Sequence, residues 1–148
     1  MLLWLIFTVN STLYESLAPG EVANLNEKIK QDENIKLTIK AFNLTTNKKY
    51  ECRVSWPSTS PIKIYFDATS KVSDSDEKIV FVPKSNEEEI RICIRGIGVS
   101  SNRFPPNYYY DLPINISLDQ QYFGLTWSVW KLIIYLLPIC LAVSLFYK

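Results

Sequence analysis

Apolar and polar residues alternate with a period of two through the middle of the chain, the pattern of β-strands that bury one face. Turn-rich connectors separate these stretches at a spacing of roughly ten residues, which predicts a mainly β fold, a small antiparallel β-sandwich. The six predicted strands are Ile35–Ala41, Lys49–Trp56, Ile62–Phe66, Lys78–Val82, Glu89–Arg95 and Leu112–Leu118. Pro113 predicts that the last is an edge strand. The segment Val22–Lys36 is interpreted as strand or loop.

The C-terminal segment is the longest apolar run, without a charged residue from Leu132 to Phe146. As a helix, Trp127–Tyr147 would be about 30 Å long, enough to cross a bilayer core. Mid-span prolines are tolerated in such helices, and a lysine near one end can extend its ammonium to the headgroups. We therefore predict that residues 122–148 form an aromatic juxtamembrane segment and a single transmembrane helix. Its interface and helix residues are Tyr122, Phe123, Trp127, Trp130, Lys131 and Pro138.

The N-terminus carries a shorter apolar run, Leu2–Val9, which has the length of the core of a signal peptide. Cleavage after Ser11 would make residues 1–11 the signal peptide, and a second pattern places the cut as late as Ala18. Residues 19–121 would then form the lumenal domain. The alternative is a tail-anchored protein whose body lies in the cytosol.

Three N-x-S/T sequons support a lumenal body, because this pattern is the acceptor for N-glycosylation in secreted chains. They begin at Asn10, Asn43 and Asn115, and Asn10 would leave with the signal peptide. Together with the N-terminal run they predict a single-pass, type I membrane glycoprotein.

Composition excludes several classes of function. The net charge is +1 over 148 residues, with acids and bases interspersed, so we expect no nucleic-acid partner. The chain has no histidine, the commonest general base and a frequent metal ligand. The acids Asp74, Asp76 and Glu87–Glu89 are interpreted as solvated turns. We expect no catalytic residues, metal, cofactor or small-molecule substrate, and hence no enzyme.

Cysteine placement predicts one disulfide. Cys52 and Cys93 fall on two predicted strands of a lumenal domain, where oxidation is expected. Their strand phases disagree, because Cys52 shares the apolar face of its strand whereas Cys93 alternates with Ile92 and Ile94 and so points outward. A bulge would be needed to join them. Cys140 lies in the apolar helix and is interpreted as a packing residue.

An aromatic loop precedes the last predicted strand. Proline and aromatic residues together make a rigid surface of the kind enriched in protein interfaces. The alternative is that these rings cover the open end of the sandwich. The candidate partner-binding residues are Phe104, Tyr108, Tyr109 and Tyr110.

These features predict a non-catalytic accessory or stabilising subunit of an endoplasmic-reticulum membrane complex, with other membrane subunits and the lipid bilayer as partners. Translocon-associated subunits and noncatalytic partners of lipid-linked glycosyltransferases share this layout, although no family motif is matched. The short uncharged segment suits a thin early-secretory bilayer. The alternative is a cell-surface recognition or adhesion domain, with the apolar C-terminus serving as a GPI-attachment signal.

Overall fold

The computed structural model describes residues 12–30, 33–97 and 109–146. Within these ranges the chain forms ten strands followed by one helix. They are β1 (Thr12–Leu17), β2 (Glu21–Lys30), β3 (Asn34–Ala41), β4 (Tyr50–Ser55), β5 (Ile62–Ala68), β6 (Lys71–Asp74), β7 (Lys78–Phe81), β8 (Glu88–Gly96), β9 (Tyr109–Tyr122), β10 (Leu125–Thr126) and α1 (Trp127–Phe146). The predicted signal peptide and Asn10 lie outside the described residues.

The strands form two sheets that share one core, which confirms the predicted sandwich followed by a C-terminal apolar helix. A four-stranded sheet has the order β1-β3-β8-β5, and a six-stranded sheet has the order β10-β9-β4-β7-β6, with β2 also paired to β9. Isoleucine and leucine from alternate positions of β3, β8 and β9 fill the space between them. Ile39, Ile90, Leu112, Ile116 and Leu118 have no exposed surface.

The pairing is antiparallel except where β1 joins β3. These two strands are parallel, with Thr12 opposite Lys36 and Leu17 opposite Ala41. Parallel neighbours need a crossover connection, and β2 supplies it, because the chain passes to the other sheet between β1 and β3. Leu17 is 3% exposed, so β1 belongs to the core structure.

The ambiguous segment after β1 is a strand. β2 pairs with β9 over ten residues, from Glu21 opposite Leu118 to Lys30 opposite Tyr109. The prediction that the Pro113 strand lies at an edge is wrong for the strand as a whole, because β9 has β2 on one side and β4 on the other. Pairing to β4 stops at Asn115. Pro113 therefore has a neighbour on one side only, where its missing N–H can be tolerated.

The predicted disulfide is absent, since both cysteines are free thiols. Cys52 lies in the six-stranded sheet, fully buried, whereas Cys93 lies in the four-stranded sheet on its outward-facing side and is half-buried. The conflict of strand phase noted in the sequence is thus real, and no bulge removes it. Burial raises the pKa of Cys52 to about 12, with a smaller contribution from neighbouring Glu51. This thiol therefore stays protonated.

The helix α1 is apolar along its whole length, and none of its residues is buried against the sandwich. Its 20 residues are enough to cross a membrane by length and composition. A solvent-exposed apolar helix of this length is unstable in water but matches a lipid environment. We conclude that α1 is the membrane-spanning element.

Candidate membrane and partner interface

The sandwich joins the helix through a tight hairpin. Phe123 and Gly124 form the turn between β9 and β10, and both have positive φ values, 51° and 82°. Two consecutive positive φ values are those of a type I′ turn, which fits the twist of a two-residue hairpin. Strand β10 ends at Thr126 and α1 begins at Trp127. No flexible linker therefore separates the sheet from the membrane helix.

Aromatic rings pack around this junction. The Trp130 indole N–H donates to the carbonyl oxygen of Tyr122 at 2.8 Å. The Tyr122 and Trp127 rings meet edge to face at 5.7 Å, and Phe123 and Trp130 do so at 6.3 Å. These are the four aromatic residues that the sequence assigned to a membrane interface. The structure brings them together at one end of the apolar helix.

Two further residues of this region have distinct surroundings. The Lys131 ammonium lies 6.0 Å from the centre of the Trp127 ring, within the range of a cation–π contact. The Phe123 side chain is 97% exposed. Its backbone is left-handed, a conformation that bulky residues rarely adopt. A fully exposed ring on a strained turn beside a membrane helix is well placed to enter the lipid interface, where aromatic rings are enriched.

Hydroxyl groups organise the first turn of α1. The Thr126 hydroxyl lies at the N-cap position, 3.1 Å from the Ser128 hydroxyl. Ser128 in turn donates to the Asp119 carboxylate on β9 at 3.3 Å. A negative charge close to a helix N-terminus is favourable because the N-terminus carries a partial positive charge. These contacts fix the start of the helix to the six-stranded sheet.

A buried carboxylate lies on the same sheet. Glu51 on β4 is 3% exposed. It accepts hydrogen bonds from Arg53 Nη2 at 2.7 Å, Gln121 Nε2 at 2.8 Å and Lys78 Nζ at 3.3 Å. Burial raises the pKa of Glu51, but the hydrogen bonds from Arg53, Gln121 and Lys78 outweigh it and hold the pKa below its ordinary value.

The Glu51 cluster ties together strands that are far apart in sequence. Gln121 belongs to the β9–β10 hairpin, and its backbone N–H also donates to the Lys49 carbonyl oxygen at 2.8 Å. This cluster could not be predicted from the sequence. The alternation of Lys49, Glu51 and Arg53 showed a polar face, but only the pairing of β4 with β7 and β9 brings Lys78 and Gln121 to Glu51.

Both described sequons are accessible. Asn43 is exposed in the connection from β3 to β4, with a left-handed backbone (φ 57°) that asparagine tolerates. Asn115 is exposed on the outer face of the six-stranded sheet, opposite Asn24 of β2 and Ser55 of β4. The geometry leaves room for a glycan at each position.

The predicted aromatic loop falls largely outside the described residues, which include neither Phe104 nor Tyr108. Tyr109 begins β9 and is 51% exposed, with the Lys30 ammonium 5.6 Å from the centre of its ring. The backbone of Tyr110 pairs with Ile29, and its side chain is not described. Tyr109 is therefore the only described side chain of the four, and it stays a candidate for partner binding.

The acids considered as catalytic or metal-binding candidates do not converge in the described part of the chain. Glu87 pairs with Lys40 at 2.8 Å on the surface, and Asp76 and Glu89 are exposed. Among residues 12–30, 33–97 and 109–146, no three side chains of the histidine, cysteine or carboxylate type come together to hold a metal ion. Pro138 lies inside α1, where it removes one helical hydrogen bond without ending the helix.

Comparison with solved structures shows two periplasmic inhibitors of g-type lysozyme. PliG from Salmonella Typhimurium is 12% identical with a TM-score of 0.45, covering 72% of this chain and 98% of its own. PliG from Aeromonas hydrophila is 11% identical with a TM-score of 0.39, covering 75% of this chain and 100% of its own. At these values the likeness carries no functional argument. No match was found among curated proteins.

A family model gives the decisive comparison. The model for Pga1, described as a GPI-mannosyltransferase II co-activator, matches residues 7–148. This match includes every described strand and the whole of α1, so it covers both the sandwich and the membrane helix. The chain therefore belongs to the Pga1 family of GPI-mannosyltransferase II co-activators.

Proposed function

We propose that this chain is a non-catalytic accessory subunit of a GPI-mannosyltransferase II complex in the endoplasmic-reticulum membrane. The family match over residues 7–148 is the observation that carries the proposal, because a co-activator assists an enzyme. In this proposal the β-sandwich lies in the lumen and α1 crosses the bilayer. The chain is a type I glycoprotein made with a cleaved signal peptide.

The structure supports a role in positioning a partner. The helix leaves the sheet directly after β10, and Ser128 and Trp130 bond to β9 at 3.3 and 2.8 Å. A partner helix packed on α1 would therefore also be held in a defined position relative to the sandwich. Because all of α1 is exposed, its apolar surface is available for such a partner. We propose that the chain stabilises the mannosyltransferase through both surfaces.

A GPI-anchored surface protein is the second candidate, and the fold disfavours it. Attachment of a lipid at Asn115 or Ser117 would remove the remainder of β9 from the mature chain. That remainder includes Leu118, which is fully buried, and Gln121, which bonds to Glu51. Cleavage there would therefore break the central strand of the six-stranded sheet.

Glycosidase digestion tests the compartment and the topology. We expect the expressed protein to shift on a gel after endoglycosidase H and after PNGase F, because a lumenal chain retained early carries unprocessed glycans. Thr45→Ala and Ser117→Ala each remove one sequon without changing the asparagine, and each should remove part of the shift. A shift with PNGase F alone would indicate passage beyond the endoplasmic reticulum and favour the surface candidate. No shift with either enzyme would contradict a glycosylated lumenal sandwich.

A further inference from the structure

The outer face of the four-stranded sheet, hereafter the basic face, carries more cationic side chains than carboxylates. Strand registers place five cationic side chains and two carboxylates on it within the described residues. The carboxylates are Asp67 and Glu89. The cationic residues are Lys36, Lys40, Lys63, Arg91 and Arg95. The basic face therefore has a net positive charge, although the chain as a whole is almost neutral.

The charges of the basic face are only partly compensated. Lys40 pairs with Glu87 at 2.8 Å, a contact that raises the pKa of the Lys40 ammonium. Within the described part of the chain, Lys36, Lys63 and Arg91 have no ion pair. Like charges gathered on one face repel one another, so their presence favours a ligand of opposite charge.

The outer face of the six-stranded sheet contrasts with it. There Arg53 and Lys78 both bond to Glu51, and Lys28 lies 4.0 Å from Asp111, so that each of these three cations has a carboxylate partner. This face also carries the sequon at Asn115. A glycan at Asn115 would cover this face and leave the basic face as the open sheet surface of the sandwich.

A groove of about 410 Å³ runs across the basic face. Its polar lining includes Lys36, Thr38, Tyr65, Asp67, Arg91 and Cys93. Tyr65 is 52% exposed, and Tyr14 on neighbouring β1 is 76% exposed. Tyrosine and arginine are the side chains most enriched at binding hot spots of protein interfaces.

The spacing of the cations indicates the form of the ligand. Lys36 lies opposite Cys93, so Arg91 is one of its diagonal neighbours on β8. Diagonal neighbours on a sheet are about 7–8 Å apart. Alternate residues of an extended peptide are separated by about 7 Å and point the same way. Carboxylates at alternate positions of an extended segment would match this spacing.

We propose that the basic face is the docking site for an acidic, extended lumenal segment of a protein partner, and this rests on the proposed function as a co-activator. A lipid surface fits less well, because the exposed apolar rings suited to a bilayer, Phe123 and Trp127, lie at the start of α1 rather than on the basic face.

Cys93 provides a natural probe at the centre of this face. In full-length protein carrying Cys140→Ser, a maleimide photo-crosslinker should react with Cys93 and spare Cys52, which is fully buried and has a pKa of about 12. The matched control carries the probe on the opposite outer face, as Ser55→Cys in a Cys93→Ser, Cys140→Ser, Ser117→Ala background, in which the last change removes the sequon at Asn115 opposite Ser55. We expect the Cys93 probe to form an adduct with the co-purifying mannosyltransferase subunit and the Ser55→Cys probe not to do so.

Charge reversal then tests the electrostatic basis. Lys36→Glu with Arg91→Glu should reduce the yield of that adduct at least about tenfold, as should raising the salt to about 0.5 M, because ionic contacts are screened. Lys48→Glu with Lys49→Glu makes the same change of charge outside the basic face and should leave the yield unaltered. Circular dichroism melting checks that both double variants remain folded.

The outcomes separate the two proposals. A mannosyltransferase that co-purifies with the wild-type chain but forms no Cys93 adduct, or keeps its adduct after charge reversal, would overturn the docking site alone. Adducts with lipid only would overturn it in favour of a membrane-facing surface. A wild-type preparation that contains no mannosyltransferase would contradict the proposed function, and the docking proposal with it.

Discussion

Glu51 shows how one residue connects the sandwich to the membrane junction. Its carboxylate is nearly inaccessible, and an ionised group in that position requires compensating donors. Arg53 and Lys78 supply charge, while Gln121 supplies a neutral donor from the β9–β10 hairpin. Removing the carboxylate therefore affects both the stability of the sheet and the placement of the helix.

We expect Glu51→Gln to lower the free energy of unfolding by about 1.5–3 kcal/mol, the range for hydrogen bonds to charged groups. The pKa of Glu51 is lowered by folding, so its stabilising effect is complete above the ordinary value of 4.5 and is lost as the pH falls through the lower folded-state pKa. Thermal melts of wild type and Glu51→Gln between pH 7 and pH 3 measure this. A wild-type stability no more sensitive to acid than that of the variant would contradict it.

Gly96 is required by a close approach of backbones. A Cβ at this position would overlap the carbonyl oxygen of Lys30 at the end of β2. Because backbone atoms cannot move aside as a flexible side chain can, we expect Gly96→Ala to destabilise the protein by about 1–3 kcal/mol, as overpacking does. Chemical denaturation measures the loss. Ser55→Ala, at an exposed strand position, is the control, and equal stability of the two variants would contradict the structure at this point.

The direction of a side chain on a strand could be predicted where its neighbours in the sequence determine it. The outward phase of Cys93 follows from its neighbours Ile92 and Ile94, and the structure confirms it. The expected disulfide is absent because an oxidising compartment cannot join two cysteines whose side chains point away from each other. Glu51 was unpredictable for a different reason, since its partners come from residues up to 70 positions away.

At the scale of elements, all six predicted strands exist, with boundaries that differ by a few residues. Each of these has a strong alternation or an unbroken apolar run. The strands that were not predicted, β1, β6 and β10, are short, and β6 lies in a polar stretch typical of a turn. Its pairing with β7 is what makes it a strand. The parallel pairing of β1 with β3 could not be predicted from the sequence either, because it depends on the path of the chain between the two sheets.

Helix α1 allows a test of which membrane features matter for assembly. Lys131 lies near the aromatic junction, whereas Pro138 lies in the middle of the span. We expect Pro138→Leu to reduce recovery of partner subunits in detergent, because proline leaves one helical carbonyl without its hydrogen bond and shapes the surface on which a partner helix packs. Lys131→Leu should leave recovery unchanged. Equal recovery with Pro138→Leu and wild type would contradict a role for this helix shape.

The whole molecule consists of two surfaces with different chemistry on one rigid support. Helix α1 is apolar, whereas the sandwich presents one outer face with the ion pairs of Glu51 and Asp111 and, on the other sheet, the basic face. Composition and periodicity were enough to predict a β-sandwich on a membrane helix and an accessory role. They could not identify the enzyme that is assisted, because recognition of an enzyme depends on matching surfaces of two proteins and the sequence describes only one of them.

We propose that this chain assists a mannosyltransferase without performing catalysis itself. The most direct measurement is GPI-mannosyltransferase II activity in membranes depleted of this chain, then resupplied with wild-type protein or with Lys36→Glu, Arg91→Glu protein. We predict low activity after depletion, recovery with wild-type protein and poor recovery with the charge-reversed protein. Undiminished activity in depleted membranes would contradict a co-activator role for this chain.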